Sequence, residues 1–378
     1  MNLPYNLKHK LIASLLLLNL FLQGCGGDSN PIITTTQEKK EKEKELKIEE
    51  EANQFSPISV LSDLDQQFLI NKIKEIHNIQ EGSITLTFEP TMNGIINNVF
   101  IVKAKNEPVL AMKCYRSKNY ENIKRQINIT EKIREGGLPL PKIHCVFKNA
   151  KEKNRPIVCS EYCKGTHKEL NDQTIKQVAN LMAQLHGIPA PEGTLNWQIT
   201  KEEFAPYFTK LQGWSFTTDL MTIFGTIKLD YLSNLPNGLI HGDLSISNLI
   251  FDEKDQVKGI LDFDEVCQTY LLTDLTYAQV FHGFDQDGNL QEDKIVKFLR
   301  AYNRTRKLQN CELENFYNHL KLLLILNALI IRSCVVDQFI QPERFNNSKS
   351  NHDVQPEVLA QKAISLRDRS AIKIAEEE

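Results

Sequence analysis

The chain has 378 residues, 41% of them apolar and 25% charged, with a formal net charge of −3. That length exceeds one compact core and fits two lobes with accessory segments. So small a net charge supplies no basic face for nucleic acid. The eight cysteines are scattered, with seven beyond Cys25 and no paired CxxC units, which excludes a disulfide framework and a zinc site.

The N-terminus begins with Lys8, His9 and Lys10, followed by an apolar stretch from Leu11 to Leu22 broken only by Ser14 and Asn19. It falls short of the roughly 20 residues of a bilayer span and matches the apolar region of a signal peptide. It ends Leu22-Gln23-Gly24-Cys25, which resembles a bacterial lipoprotein signal. The resemblance implies a signal over residues 1–24, acylation of Cys25 and anchorage to a lipid membrane of the cell envelope. The alternative is a cytoplasmic protein. Residues 25–56 are polar, and Glu38 to Glu51 is almost pure Glu and Lys. Such a run buries no core and reads as a tether.

Helical spacing follows from Asp63 to Ile79, with Leu64, Phe68, Leu69, Ile73 and Ile76 as the apolar set. The period then shortens. Ser83–Phe88, Asn98–Ala104 and Val109–Tyr115 read as strands, and Pro156–Tyr162 as another. Between them Tyr120–Glu135 reads as a helix stopped by Gly136, Gly137 and Pro139. Residues 57–160 are thus expected to form a small sheet with one or two helices.

From residue 161 to 342 the pattern is mainly helical. Asp172–His186, Glu292–Tyr302 and Glu312–Ser333 carry amphipathic or apolar helices. Leu320 to Ile331 is apolar nearly all round, as in a buried central helix. Asp285-Gln286-Asp287-Gly288 reads as a turn, because its Gly comes too early for a calcium loop. Residues 343–378 read as a polar, peripheral tail.

Three short apolar segments, Leu239–Ile240, Leu249–Phe251 and Gly259–Phe263, bracket the polar residues that carry chemistry. The last two read as a hairpin turning at Asp252 to Gln256, which brings Asn248 near Asp262. His241-Gly242-Asp243 sits in the loop before it. One carboxylate to take a hydroxyl proton, and hard oxygens for Mg²⁺, are the inventory phosphoryl transfer needs.

This segment resembles the catalytic and metal loops of protein-kinase-like phosphotransferases. It is most similar to the aminoglycoside phosphotransferase, choline kinase and homoserine kinase group. The resemblance implies an α+β, two-lobed protein-kinase-like fold with a small antiparallel-sheet N-lobe and a mainly helical C-lobe. It implies Asp243 as catalytic base, and Asn248 and Asp262 as ligands of Mg²⁺–ATP. His241 would support the loop, and Asp274-Leu275 would start a helix packed beneath it. Upstream, the stretch from Gly94 through Asn97 to Val102 resembles the group's glycine-containing nucleotide strand. Lys113 takes the place of the lysine that grips the ATP phosphates. Glu161-Tyr162 resembles the segment that hydrogen-bonds adenine, and His186 the group's recurring helix-end histidine. One position departs from the pattern: Gln126 stands near the Glu that ordinarily pairs with the lysine.

Two stretches, the entry helix and residues 287–316, lean towards homoserine-kinase-like members. The activity implied is transfer of the ATP γ-phosphate to a hydroxyl of a small molecule, namely homoserine, another amino alcohol or an aminoglycoside. The alternative is a membrane-tethered, catalytically weak nucleotide-binding module. For a cationic acceptor, Asp264, Glu265 and Asp274 are the acidic candidates.

Overall fold

A computed structural model describes residues 61–77, 85–91, 97–115, 118–149, 155–168, 171–285, 287–336 and 355–374. The leader, Cys25, the Glu/Lys tether and Gly94 lie outside those residues. The described backbone divides into two units, one containing residues 61–124 with Pro141–Cys163, the other Arg125–Leu140 with Lys164 onward.

The first unit starts with α1 (Asp63–Ile76). Ser62 caps it reciprocally with Asp65: the Asp65 N–H donates to Ser62 Oγ at 3.1 Å, and the Ser62 N–H to Asp65 Oδ2 at 3.1 Å. Strands β1 (Leu86–Pro90), β2 (Asn98–Ala104), β3 (Glu107–Cys114), β4 (Ile143–Asn149) and β5 (Arg155–Glu161) follow. They form an antiparallel sheet of order β1-β2-β3-β5-β4. The β2–β3 turn uses Lys105 and Asn106 at φ 52° and 67°, the pair of positive values that suits the twist of a two-residue hairpin. Leu110, Met112 and Cys114 alternate along β3 into a core with Leu69, Ile73, Phe100, Val102, Ile157 and Cys159. Lys113 therefore belongs to the other face of the sheet. Sequence reading passes over β4 because five consecutive residues of it are half-buried, so it lacks the alternation of a one-sided strand.

Helix α2 (Tyr120–Glu135) ends at Gly136 and Gly137, the latter at φ 95°. In the second unit come α3 (Asp172–His186), α4 (Lys201–Lys210), α5 (Thr217–Thr226), β6 (Asn237–Ile240), β7 (Leu249–Phe251), β8 (Val257–Ile260) and β9 (Cys267–Tyr270). Then follow α6 (Leu271–His282), α7 (Glu292–Thr305), α8 (Asn310–Glu314), α9 (Phe316–Val336) and α10 (Pro356–Ser365). The apolar run in α9 is buried, with no residue from Leu320 to Ile331 above 4% exposure. Among the described residues no helix is long and apolar enough to cross a membrane.

Three expectations need correction. The helix expected over Glu312–Ser333 is broken at Asn315, because Glu312 turns to accept the Gln309 N–H at 2.9 Å and closes α8 as its own short turn. The strand expected over Gly259–Phe263 stops at Ile260, and Phe263–Glu265 is a single 3₁₀ turn. The segment read as a peripheral polar tail contains α10, which buries Leu359, Ala360 and Ala363. Even Lys362 is 1% exposed, its ammonium donating to Val280 O at 3.4 Å. Lys321 of α9 also donates to Arg367 O and Arg369 O at 3.3 and 2.8 Å, which ties the segment's backbone to α9.

Candidate active site

Strand β6 pairs with β9, Ile240 opposite Cys267, and delivers His241-Gly242-Asp243 into a buried loop. Gly242 takes φ 83°, which a side chain would strain. The backbone N–H groups of His241 and Gly242 donate to the two carboxylate oxygens of Asp274 at 2.8 and 2.9 Å. The His241 Nδ1 accepts the Asp243 N–H at 3.2 Å, so its Nε2 carries the proton and donates to Leu261 O at 3.0 Å. Burial pushes the His241 pKa down despite the nearby Asp274 and Asp262 carboxylates, which keeps the ring neutral and this tautomer in place.

Asp243 and Asn248 meet directly. The Asn248 Nδ2 donates to Asp243 O at 2.8 Å and to Asp243 Oδ2 at 2.9 Å. With its amide nitrogen turned to Asp243, Asn248 turns its amide oxygen away. On the far side of the β7–β8 hairpin, the Leu261 N–H donates to Asn248 O at 2.8 Å, which sets Asp262 beside Asn248. Asp262 is left-handed, with φ 61° and ψ 61°, a conformation that costs about 1 kcal/mol and here re-aims the chain at the end of the hairpin.

Neighbouring groups fix the hairpin. Thr166 pairs with Phe251 through two backbone bonds of 2.9 Å. A Cβ on Gly165 would stand 2.3 Å from Phe251 O, so only glycine allows that approach. The Gln177 side chain donates to Asp255 O at 2.5 Å and accepts the Val257 N–H at 3.0 Å, clamping the turn. Gln126 of α2 donates to Phe263 O at 2.6 Å and to Asp264 Oδ1 at 3.1 Å. It therefore latches the segment just after Asp262, a role that needs a donor and that a carboxylate could not fill.

Two hard oxygen donors, the Asn248 amide and the Asp262 carboxylate, suit Mg²⁺. That ion keeps waters and phosphate oxygens as its remaining ligands, and so needs no protein cage. Among the described residues no three His, Cys, Asp or Glu side chains gather into a metal-binding group. The acidic candidates for a cationic acceptor are corrected in part. Asp274 and Glu265 are 1% and 3% exposed, and Asp274 is committed to the loop backbone, so neither presents a free carboxylate to solvent.

The remaining expected residues belong to the sheet unit. Lys113 is half-buried on β3, its ammonium 5.2 Å from the Tyr115 ring centroid. Asn97 is buried just before β2. Glu161 ends β5, its N–H donating to Lys142 O at 2.8 Å, and Tyr162 follows half-buried.

Sequence reasoning assigned helix-end packing to His186 and missed its larger part. The His186 Nε2 lies 3.2 Å from Asp274 Oδ2 and its Nδ1 2.6 Å from the Tyr302 hydroxyl. Arg306 donates to the Tyr302 oxygen at 3.1 Å and is paired with buried Glu312 at 3.0 Å. Arginine only donates, so the Tyr302 proton is directed at His186, and the His186 Nε2–H at Asp274. Burial pushes Asp274 up, but its bond to His186 and the His241 N–H hold it below the ordinary carboxylate range. The stretch from Arg306 through Tyr302 and His186 to Asp274 thus donates in one direction, and Asp274 is where it meets the N–H groups of the catalytic loop. The spaced Tyr302, Arg306 and Glu312 were the available signal.

With this geometry established, comparison with known proteins is decisive. Residues 87–308 match the phosphotransferase enzyme family. The chain belongs to that family. A homoserine kinase of Bradyrhizobium diazoefficiens is 37% identical over 95 residues, 24% of this chain. The match spans 29% of that relative's length. Among solved structures, a microcompartment-associated aminopropanol kinase aligns with a TM-score of 0.58 at 14% identity, covering 80% of this chain and 97% of the other. A choline/ethanolamine kinase family protein of Mesorhizobium loti gives 0.54 at 14% identity, over 80% and 98% of the two chains. The fold of this family member is the protein-kinase-like α+β fold, with a small antiparallel sheet and a helical part.

Proposed function

We propose that the protein is an ATP-dependent kinase of a small hydroxyl compound. The observation that carries this reading is the contact of Asn248 Nδ2 with Asp243 Oδ2 at 2.9 Å, beside the left-handed Asp262. In this reading Asp243 orients the acceptor hydroxyl and takes its proton. The Asn248 bond fixes the carboxylate rotamer, and the Asp274 bonds fix the backbone that carries it. Asn248 Oδ1 and Asp262 would hold Mg²⁺, which supplies charge neutralisation at the phosphates when bound. Lys113 and Asn97 would contact the nucleotide phosphates, and Glu161–Tyr162 the adenine. The matched homoserine kinase supports an amino alcohol as acceptor, with homoserine the first to try.

The test is phosphate transfer from labelled ATP by the full chain to homoserine, choline, aminopropanol and an aminoglycoside. Transfer to one of them is expected. Asp243→Asn should lower that rate by about 10³-fold while metal-dependent nucleotide binding persists. A wild-type chain that shows no Mg²⁺-dependent thermal shift with ATP would remove the reading. A chain that binds but transfers to none would instead be a nucleotide-binding module.

We also infer acylation at Cys25, supported by the Leu22-Gln23-Gly24-Cys25 sequence behind its apolar run. A palmitate label retained by wild type and lost in Cys25→Ala checks it.

A further inference from the structure

Strands β4 and β5 carry one cysteine each, and the register sets Cys145 directly opposite Cys159. Directly opposed residues of antiparallel strands have Cα atoms about 4.5–5.5 Å apart, inside the span a disulfide needs. The pair is placed by an irregularity between Ile143 and Cys145. Both thiols are free, Cys159 fully buried and Cys145 half-buried at the margin of the core. The two side chains are hydrogen-bonded to each other.

We propose that Cys145 and Cys159 form a peroxide-reactive dithiol, a redox modification site in the sheet unit that closes reversibly into a cross-strand disulfide. The two sulfurs have distinct parts. The bond from Cys159 holds the Cys145 thiol below its ordinary pKa against the opposing effect of burial, with Lys72 assisting and Glu75 opposing. Cys159 is held well above, first by the same hydrogen bond and then by burial. Cys145, the less buried and more acidic of the two, is thus the sulfur that a peroxide reaches, and Cys159 the shielded resolving thiol.

The Cys145 sulfur attacks the peroxide, the O–O bond breaks, and one oxygen leaves as water or an alcohol. The other oxygen stays as a sulfenic acid. The Cys159 sulfur then attacks the Cys145 sulfur, the S–O bond breaks, and the hydroxyl leaves as water with the Cys159 proton. Two thiols lose two electrons and two protons, and the peroxide receives them. The bridge would tie β4 to β5 two residues before Glu161, at the end of the strand that leads to the proposed adenine segment.

The test uses the full chain, treated with hydrogen peroxide, alkylated and digested with trypsin. Lys148, Lys151 and Lys153 lie between the two cysteines, so a bridge joins the peptide Ile143–Lys148 to the peptide Asn154–Lys164. The expected result is that linked pair, about 2 Da lighter than the two free peptides and released by dithiothreitol. Cys163 shares the second peptide. The bridge should therefore survive Cys163→Ser and vanish in Cys159→Ser and Cys159→Ala, which leave Cys145 as sulfenic or sulfinic acid. Near-wild-type melting of either Cys159 variant shows that the loss is chemical. A bridge that survives both Cys159 variants, runs through Cys163, or fails to form while Cys145 accumulates as sulfinic acid overturns the proposal. None of these readouts depends on kinase activity.

Discussion

In the helical unit Asp243 and Asn248 are 2% and 3% exposed and share hydrogen bonds with each other, while Asp274 holds the loop backbone from below. In the sheet unit Lys113 stands half-buried on a strand whose alternate residues, Met112 and Cys114, belong to an apolar core. The first arrangement fixes polar atoms by satisfying each with another polar atom, so removing one leaves others orphaned. The second sets a polar side chain on the face of the strand away from the core, beside the Tyr115 ring, so removing it leaves that core intact. Mutational cost should differ accordingly.

The largest expected effect is Asp274→Ala, which deprives the His241 and Gly242 N–H groups and His186 of their acceptor. It should lower unfolding free energy by about 3 kcal/mol in a urea melt. Lys113→Met should change it by less than about 0.5 kcal/mol, although it sits in the proposed nucleotide site. Equal costs for the two would erase the contrast.

Acid should act next, and through the helical unit. Burial holds His319 at about 3, its nitrogens 3.1 Å from Thr273 Oγ1 and the Tyr231 hydroxyl, and holds His241 below its ordinary 6.5. Both are neutral when folded but protonate near 6.5 when unfolded. The unfolded state binds the extra protons, so stability is full above about pH 6.5 and falls as pH drops towards 3. His319→Gln should flatten that slope in pH-dependent thermal melts; an unchanged slope would assign acid sensitivity elsewhere.

Tyr302→Phe removes one link between Arg306 and His186, and should cost about 1 kcal/mol of stability. The smallest effect is expected at the latch. Gln126→Glu sets a carboxylate against Phe263 O and Asp264, and should weaken Mg²⁺–ATP binding by about fivefold. Asp264→Asn in the same chain should restore part of it, measured by nucleotide titration.

Much of this was legible in the sequence. Helix α2 and strand β2 fall where periodicity and stop signals place them, over Tyr120–Glu135 and Asn98–Ala104. The hairpin that brings Asn248 towards Asp262 was readable from the apolar segments on either side of a polar turn, with Asp243 in the loop before it; the bond between Asn248 and Asp243 was not. Less legible was β4, whose residues are half-buried on both faces. Helix α10 was hidden because a buried lysine, Lys362, reads as a solvent-facing one until its carbonyl partner is known. Gln126 read as a departure from the group's pattern, and its hydrogen bonds to Phe263 and Asp264, 137 and 138 residues away in sequence, were invisible there.

Local chemistry was written in the chain order: which side chains stand on the catalytic loop and hairpin, because short-range spacing dictates where a five- or fourteen-residue segment can turn. How that loop is held depends on long-range packing. Asp274, His186, Tyr302 and Glu312 come from four separate helices, and Arg306 follows the one that carries Tyr302. Their union depends on helix packing that brings distant positions within 3.2 Å, and on burial that makes each of those bonds costly to lose.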